Sequence, residues 1–258
     1  MSLRGEIAVV TGGSGLIGSA ICRRLAGEGA VVIAASRSAA TDRSRPVRKS
    51  SGKIIPVVMD VTDERSVKTA FADIVKRYSA PRILVANASC REALESSFDR
   101  IAAQHFADLC AVDIAGHFLC AQQFAAALPK QFAAALPKDE SGSIVFLSSI
   151  YAIAGADPEL SSAPPQYGAA KGALLGLTRS LAARWGRHGI RVNAVIAGGV
   201  EAPGRQSAKF RAAYGRKTML RRMARAEEIA SAVAFLASGD ASYITGAALA
   251  VDGGYTAW

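Results

Sequence analysis

Between a β-branched run, Ile7-Ala8-Val9-Val10, and an amphipathic stretch from Ser19 to Ala26, the chain reads Thr11-Gly12-Gly13-Ser14-Gly15-Leu16-Ile17-Gly18. A short apolar run of this kind suits a strand buried on both faces. Gly13-x-Gly15-x-x-Gly18 between strand and helix fits a dinucleotide fingerprint: glycines permit the turn and a close backbone approach, and the helix N-terminus faces a pyrophosphate. A tight turn with no ligand is the plainer reading of the glycines alone. The flanking strand and helix favour the nucleotide.

The alternation continues along the chain. Strands are expected at Val31 to Ala35, Ile54 to Met59, Arg82 to Ala86, Ile144 to Leu147, Arg191 to Ile196 and Ala247 to Val251. Helices are expected at Val67 to Tyr78, from Phe98 to Val112 and on through Phe124, at Gln166 to Trp185 and at Glu227 to Ala237. Strands alternating with helices imply an α/β fold, a doubly wound parallel sheet of about seven strands with helices on both faces. No linker interrupts the pattern, so residues 1–258 are read as a single dinucleotide-binding domain.

Composition narrows the class further. Half of the residues are hydrophobic and 20% are charged, which excludes a disordered chain. The four cysteines form no C-x-x-C pair and the three histidines are scattered, so neither a disulfide scaffold nor a metal site is expected. Charge precedes any long apolar run at the N-terminus, and no segment approaches roughly 18 uninterrupted apolar residues. A cytoplasmic protein with no membrane partner is therefore expected. Lys and Arg total 31 against 21 acidic residues, a formal charge of +10. Such an excess raises nucleic acid as a partner, but no recognition motif or aromatic-interleaved basic stripe accompanies it.

Three segments break the alternation. Ser38 to Lys53 is basic, lacks an apolar stripe and reads as a loop. Val200 to Met223 is polar and reads as a mobile stretch. Gln123 to Lys130 and Gln131 to Lys138 are identical copies of QFAAALPK. Two copies are too few for a solenoid, and Pro129 should end the helix that enters them.

Two constellations carry chemistry. The acidic residue that would accept a ribose 2′-hydroxyl at the end of the second strand is missing, and Ser36 and Arg37 stand there. A guanidinium matches a 2′-phosphate, so NADP is the expected cofactor and NAD the lesser one. Tyr167-Gly168-Ala169-Ala170-Lys171 places a phenol and an ammonium one helical turn apart. A nearby ammonium favours the phenolate, and the pair can exchange a proton with an alcohol oxygen.

With these motifs the chain resembles the short-chain dehydrogenase/reductase family over essentially its whole length. Thr11 to Gly18 resembles TGxxxGxG, Asp60-Val61 the adenine-side Asp, and Ala86-Asn87-Ala88-Ser89 the NNAG segment. Ser149 resembles the catalytic Ser, and Tyr167 to Lys171 resembles YxxxK. Arg191-Val192-Asn193-Ala194 with Ala197-Gly198 resembles the segment near nicotinamide, and Val251-Asp252-Gly253-Gly254 the C-terminal strand.

The resemblance implies that Tyr167 is the general acid/base, that Ser149 orients the substrate oxygen, and that Lys171 binds the nicotinamide ribose and lowers the Tyr pKa. It implies cofactor contacts from Gly12, Ser14, Gly15, Leu16, Ile17, Gly18, Ser36, Arg37, Asp60, Val61, Asn87, Ala88, Tyr167, Lys171, Gly198 and Val200. It also implies a small-molecule alcohol or carbonyl substrate and a homo-oligomer, tetramer or dimer. The Ser-Ile-Tyr segment after the catalytic Ser and the Gly-Tyr-Thr-Ala-Trp ending are similar to members that act on polyols and sugars; a 3-oxoacyl substrate fits the family as well.

The chain departs from the family pattern at several of these positions. Asp113 falls where the family has an Asn that holds a water in its proton relay, and a carboxylate there competes for the charge of Lys171. Leu16 replaces a glycine and crowds the cofactor unless it points into the core. Ala86, Ser89 and Ala197 replace the first Asn and the Gly of NNAG and the Pro of PG. The interval from Asp113 to Ser149 exceeds the family's by one repeat copy, and Gly155 to Ser162 lengthens the next interval. Two functions follow as alternatives: an NADP(H)-preferring oxidoreductase, or a cofactor-binding protein whose catalysis Asp113 has impaired.

Overall fold

In the computed structural model, residues 2–38, 52–90, 101–128, 142–157, 160, 163–202 and 204–258 are described. The strands are β1 (Ile7–Thr11), β2 (Val31–Ser36), β3 (Lys53–Val58), β4 (Ile83–Ala86), β5 (Gly142–Ser149), β6 (Ile190–Ala197) and β7 (Ala248–Val251). They form one sheet in the order β3-β2-β1-β4-β5-β6-β7, and every neighbouring pair is parallel. This is the doubly wound α/β arrangement expected from the alternation. Register is set by side-chain alternation: Ala8 and Val10 of β1 join one core, while Ile7 and Val9 join the other. Val145 and Leu147 of β5 divide from Ile144 and Phe146 in the same way.

The helices are α1 (Leu16–Gly27), α2 (Glu64–Tyr78), α3 (Ala103–Cys110), α4 (His117–Ala127), α5 (Pro165–Trp185), α6 (Ala208–Arg216) and α7 (Ala226–Ala237). Ile21 and Leu25 of α1 meet Ile229 and Val233 of α7 in the first core. Val67, Phe71 and Ile74 of α2 meet Phe124 of α4 and Leu174 and Leu181 of α5 in the second. Asp63 caps α2 by accepting from Arg65 N at 2.8 Å. Arg191 and Asn193 hold the far side of the sheet. Arg191 donates to the carbonyls of Leu236 and Ser238, and Asn193 bridges Ile244 O and Ala247 N.

Several segments differ from the sequence reading. The helix expected through Phe124 is broken by a π-helical turn, Ala111–Gly116, which carries Asp113. Gly116 sits against Val61, where a Cβ would stand 2.8 Å from Cγ2 of that residue. Residues 98–100 and most of the basic loop lie outside the described residues, and Lys53 opens β3 instead of ending a loop. The stretch from Val200 to Met223, read as mobile, contains α6, capped by Ser207, which accepts from Phe210 N at 3.0 Å. Its apolar contacts are only Phe210 and Tyr214, too few for a stripe but spaced to share a face.

The helix of the first repeat copy ends at Ala127, and Leu128 is extended (φ −87°, ψ 153°), the conformation a following proline imposes. Pro129 and the second copy lie outside the described residues. Among the described residues one helical run, Ala103–Ala127, is long and apolar enough to cross a membrane by composition, with mean hydropathy 1.2. In the fold only part of it is buried: Cys120, Ala121 and Phe124 join the second core, while Phe106 and Phe118 are exposed.

Candidate active site

The chain reverses direction across the sheet between β1 and β4, and such a switch point leaves a crevice at the C-terminal ends of the strands. Here it is a cleft of about 550 Å³. Thr11 and Asn87 lock its floor. Thr11 Oγ1 accepts from Asn87 N and Ala88 N at 2.9 and 3.0 Å, and Asn87 Nδ2 donates back to Thr11 O at 2.9 Å. Gly12 has φ +64°, and a Cβ on Gly18 would collide with the Gly12 carbonyl. Gly15 precedes α1 and offers no side-chain cap, so the helix's first N–H groups remain available to an anion.

Gly12, Ser14, Gly15, Leu16, Ile17, Gly18, Ser36, Arg37, Asp60, Val61, Asn87, Ala88, Tyr167, Lys171 and Gly198 all line this cleft, together with Ser149. Leu16 does not point into the core. It is 37% exposed on the rim, because it is the first residue of α1 and its helix turns Ile21 and Leu25 inward instead. Val200 is the exception among the expected cofactor contacts. It pairs with Ala224 and packs on the core beside α7, outside the cleft wall. Asp60 accepts from Thr62 Oγ1 at 2.7 Å and Thr62 N at 2.9 Å, and these bonds, with a smaller contribution from Arg37, hold its carboxyl below the usual range despite partial burial.

The other end of the cleft gathers Ser149, Tyr167 and Lys171. Ser149 ends β5, and its Oγ accepts from Tyr151 N at 3.3 Å. Tyr167 lies in the first turn of α5, which Pro165 opens. Gly168 lets this helix approach the turn after β5, since a Cβ would stand 2.9 Å from Tyr151 O. Lys171 Nζ lies 5.6 Å from the Tyr167 ring centre, donates to Leu147 O at 3.0 Å and pairs with Asp113 Oδ2 at 2.9 Å. Burial alone would lower the Lys171 pKa, but the Asp113 carboxylate and Tyr167 outweigh it, and the ammonium is held above its ordinary value.

Asp113 is fully buried behind Lys171. Its carboxylate also accepts from Ser89 Oγ at 2.9 Å and Cys90 N at 3.0 Å. Its own carbonyl lies 2.6 Å from His117 Nδ1. Burial, and then the charge on Lys171, bring the His117 pKa down to about 4.

Beside Tyr167, outside the cleft lining, lies an aromatic cluster. Tyr151 meets Tyr167 edge to face at 6.3 Å, and Tyr214 stacks on Tyr255 at 5.4 Å. The Tyr214 hydroxyl accepts from Gly199 N, and a Cβ on Gly199 would strike its ring. Lys217 and Asp157 pair at 2.9 Å and join the α6 segment to the loop after β5. The sequence reading overlooked the Leu147 carbonyl and the Ser89 hydroxyl as partners of this site. Ser89 was visible only as a departure from glycine, and a backbone acceptor leaves no sequence signal.

Residues 13–256 match the family model described as enoyl-(acyl carrier protein) reductase. The cis-4-hydroxycyclohexanecarboxylate dehydrogenase of Sinomonas cyclohexanicum is 38% identical over 255 residues, covering 98% of this chain and 97% of that protein. The chain belongs to the short-chain dehydrogenase/reductase family. Among solved structures, a putative 2-deoxy-D-gluconate 3-dehydrogenase from Agrobacterium tumefaciens with bound NADP superposes with TM-score 0.83. It is 32% identical, with 100% of this chain and 98% of that one covered. A short-chain dehydrogenase from Leptospira borgpetersenii with bound NAD+ superposes with TM-score 0.84 at 28% identity, covering 98% and 93%. Like other short-chain dehydrogenases/reductases, this chain is an NAD(P)-dependent oxidoreductase acting on CH–OH or C=O groups.

Proposed function

We propose that this short-chain dehydrogenase/reductase prefers NADP(H) and interconverts a secondary alcohol and a ketone, with Tyr167 as the proton-exchanging group. The observation that carries the reading is the convergence of Ser149, Tyr167 and Lys171 on one end of a cleft whose other end holds Arg37. The uncapped start of α1 and the glycine floor suit a pyrophosphate, and the positive charge of Arg37 at the end of β2 suits a 2′-phosphate. When bound, the nicotinamide supplies or accepts the hydride.

The chain's own groups handle the proton and the orientation. Tyr167 passes its hydroxyl proton to the carbonyl oxygen in reduction and recovers it in oxidation. The Ser149 hydroxyl donates to the same oxygen and fixes its position. Lys171 lies below the phenol as an ammonium paired with Asp113, and two of its three N–H groups are already held by Leu147 O and Asp113. Tyr151 packs edge to face on Tyr167 beside the cleft, and a ring or polyol bearing a secondary hydroxyl is the substrate class proposed for it. The relatives whose names specify a hydroxycyclohexanecarboxylate and a deoxygluconate support that substrate class. The same family precedent supports a cytoplasmic homo-oligomer built from one oxidoreductase domain.

The deciding experiment is NADPH oxidation and NADP reduction over a panel of cyclic, polyol and 3-oxoacyl substrates, with Y167F as control. Turnover lost by at least about 100-fold in Y167F supports the reading. Tight cofactor binding without turnover of any member favours the second reading, a cofactor-binding protein without catalysis. The buried Asp113–Lys171 pair is the observation behind that alternative.

A further inference from the structure

The family pattern leaves a neutral side chain at position 113 and no side chain at position 89, whereas this chain has a carboxylate and a hydroxyl, bonded to each other at 2.9 Å. The two departures are one structural unit. A buried carboxylate is tolerated only when it is paired and its lone pairs are satisfied. Lys171 supplies the counter-charge at 2.9 Å, and Ser89 Oγ and Cys90 N supply neutral donors. The π-helical turn at Ala111–Gly116 carries Asp113 inward to reach all three.

We propose that Asp113 and Ser89 form a positioning pair that neutralises Lys171 and so sets Tyr167 to exchange its proton at a higher pH than an uncharged residue at position 113 would. The pair acts through Lys171, which lies against the Tyr167 ring. With the carboxylate present, the net charge beneath the phenol is near zero, and the phenolate loses the support an isolated ammonium gives. Lys171 also stays fixed on Leu147 O, so the pair positions it as well as neutralising it.

Among the described residues, no other charge facing this group replaces the one removed. From α5 come Lys171 and Tyr167 themselves, and from the turn after β5 comes Tyr151. The segment after β4 contributes the Cys90 thiol, which packs, as Tyr167 does, against the cluster of Leu109 and Ala170. α3 contributes Cys110, whose thiol is raised by burial and then by the Asp113 charge, and α4 contributes His117, which is neutral above about pH 4. A unit charge a few ångströms away in such surroundings moves a titration by on the order of one pH unit.

This inference rests on Tyr167 being the proton-exchanging group, and its test separates the two. Ultraviolet difference titration of the phenol, with the Y167F spectrum subtracted, reads Tyr167 without substrate. The expected result is a midpoint about one unit or more lower in D113N than in the natural chain, with the limb of the pH–rate profile for alcohol oxidation moving equally. In a double-mutant cycle, S89A should lower Tm more beside Asp113 than beside the amide of D113N, because a hydrogen bond to a charged group is the stronger one. If D113N does not fold, D113S removes the same charge and gives the same readout. A midpoint unchanged within a few tenths of a unit in the folded variant overturns the proposal. A shifted phenol in a protein that turns over nothing retains it and removes the oxidoreductase reading; turnover with an unshifted phenol does the reverse.

Discussion

A Cβ on Gly168 would stand 2.9 Å from the carbonyl oxygen of Tyr151, so the helix that carries Tyr167 abuts the turn that follows Ser149 with no spare room. The spacing of proton donor and orienting hydroxyl is therefore set by backbone contact as well as by side chains. G168A should push α5 away from that turn. We expect kcat/KM to fall by about 10-fold or more, since sub-ångström misplacement is amplified at a reacting centre, while thermal stability falls by about 1–3 kcal/mol. Steady-state kinetics beside a melting curve separate the two effects. Unchanged kcat/KM would show that the contact relaxes without moving Tyr167.

Arg37 lies at the cleft end where a 2′-phosphate would sit. R37D should weaken NADPH binding by about 10-fold to 100-fold and leave NADH binding equal or stronger, because a charge-assisted bond is replaced by repulsion. Fluorescence titration with each reduced cofactor reads this directly. Equal affinities before and after the change would remove the NADP preference.

Gly18 faces the Gly12 carbonyl at a distance no Cβ can occupy. G18A should deform the turn at the start of α1 and abolish binding of either cofactor. The same variant should lower the unfolding free energy by about 1–3 kcal/mol through overpacking. Calorimetric titration with NADPH and NADH checks the first effect and urea unfolding the second.

His117 provides a pH test of stability. Its pKa falls from 6.5 in the unfolded chain to about 4 in the fold, through burial first and the Lys171 charge second. The unfolded chain then binds the proton more readily between those values. Stability is full above about pH 6.5 and is lost as the pH falls towards 4, by on the order of 3 kcal/mol. In H117Q this slope should disappear. Urea unfolding at half-unit steps from pH 7 to 4 would show it, and parallel slopes for both proteins would refute it.

Much of this was legible in the sequence, for identifiable reasons. Parallel strands buried on both faces are written as continuous β-branched runs, so the positions of β1, β2, β4, β5 and β6 follow from Ile7-Ala8-Val9-Val10 and its counterparts. Tyr167 and Lys171 were legible because helical spacing converts directly to proximity. Features that depend on a second element were not. The π-helical turn at Asp113 is settled by the contacts Asp113 makes to Ser89, Cys90 and Lys171, segments distant in sequence. Val200, expected at the cofactor from the family resemblance, pairs with Ala224, a contact that no local sequence pattern announces. α6 was missed because Phe210 and Tyr214 are its main apolar anchors in a polar run.

The first copy of the QFAAALPK repeat completes α4 at Ala127, and β5 begins only at Gly142, paired with Ile190. The second copy lies in sequence between these two elements, outside the described residues. Register belongs to strands and phase belongs to helices, so residues added at this point alter neither. A copying event of eight residues, which within β5 would shift the side chains after it out of register, leaves Ser149 opposite Ala197 and the cleft below it intact. The fold thus has a place where its length can drift without its chemistry drifting too.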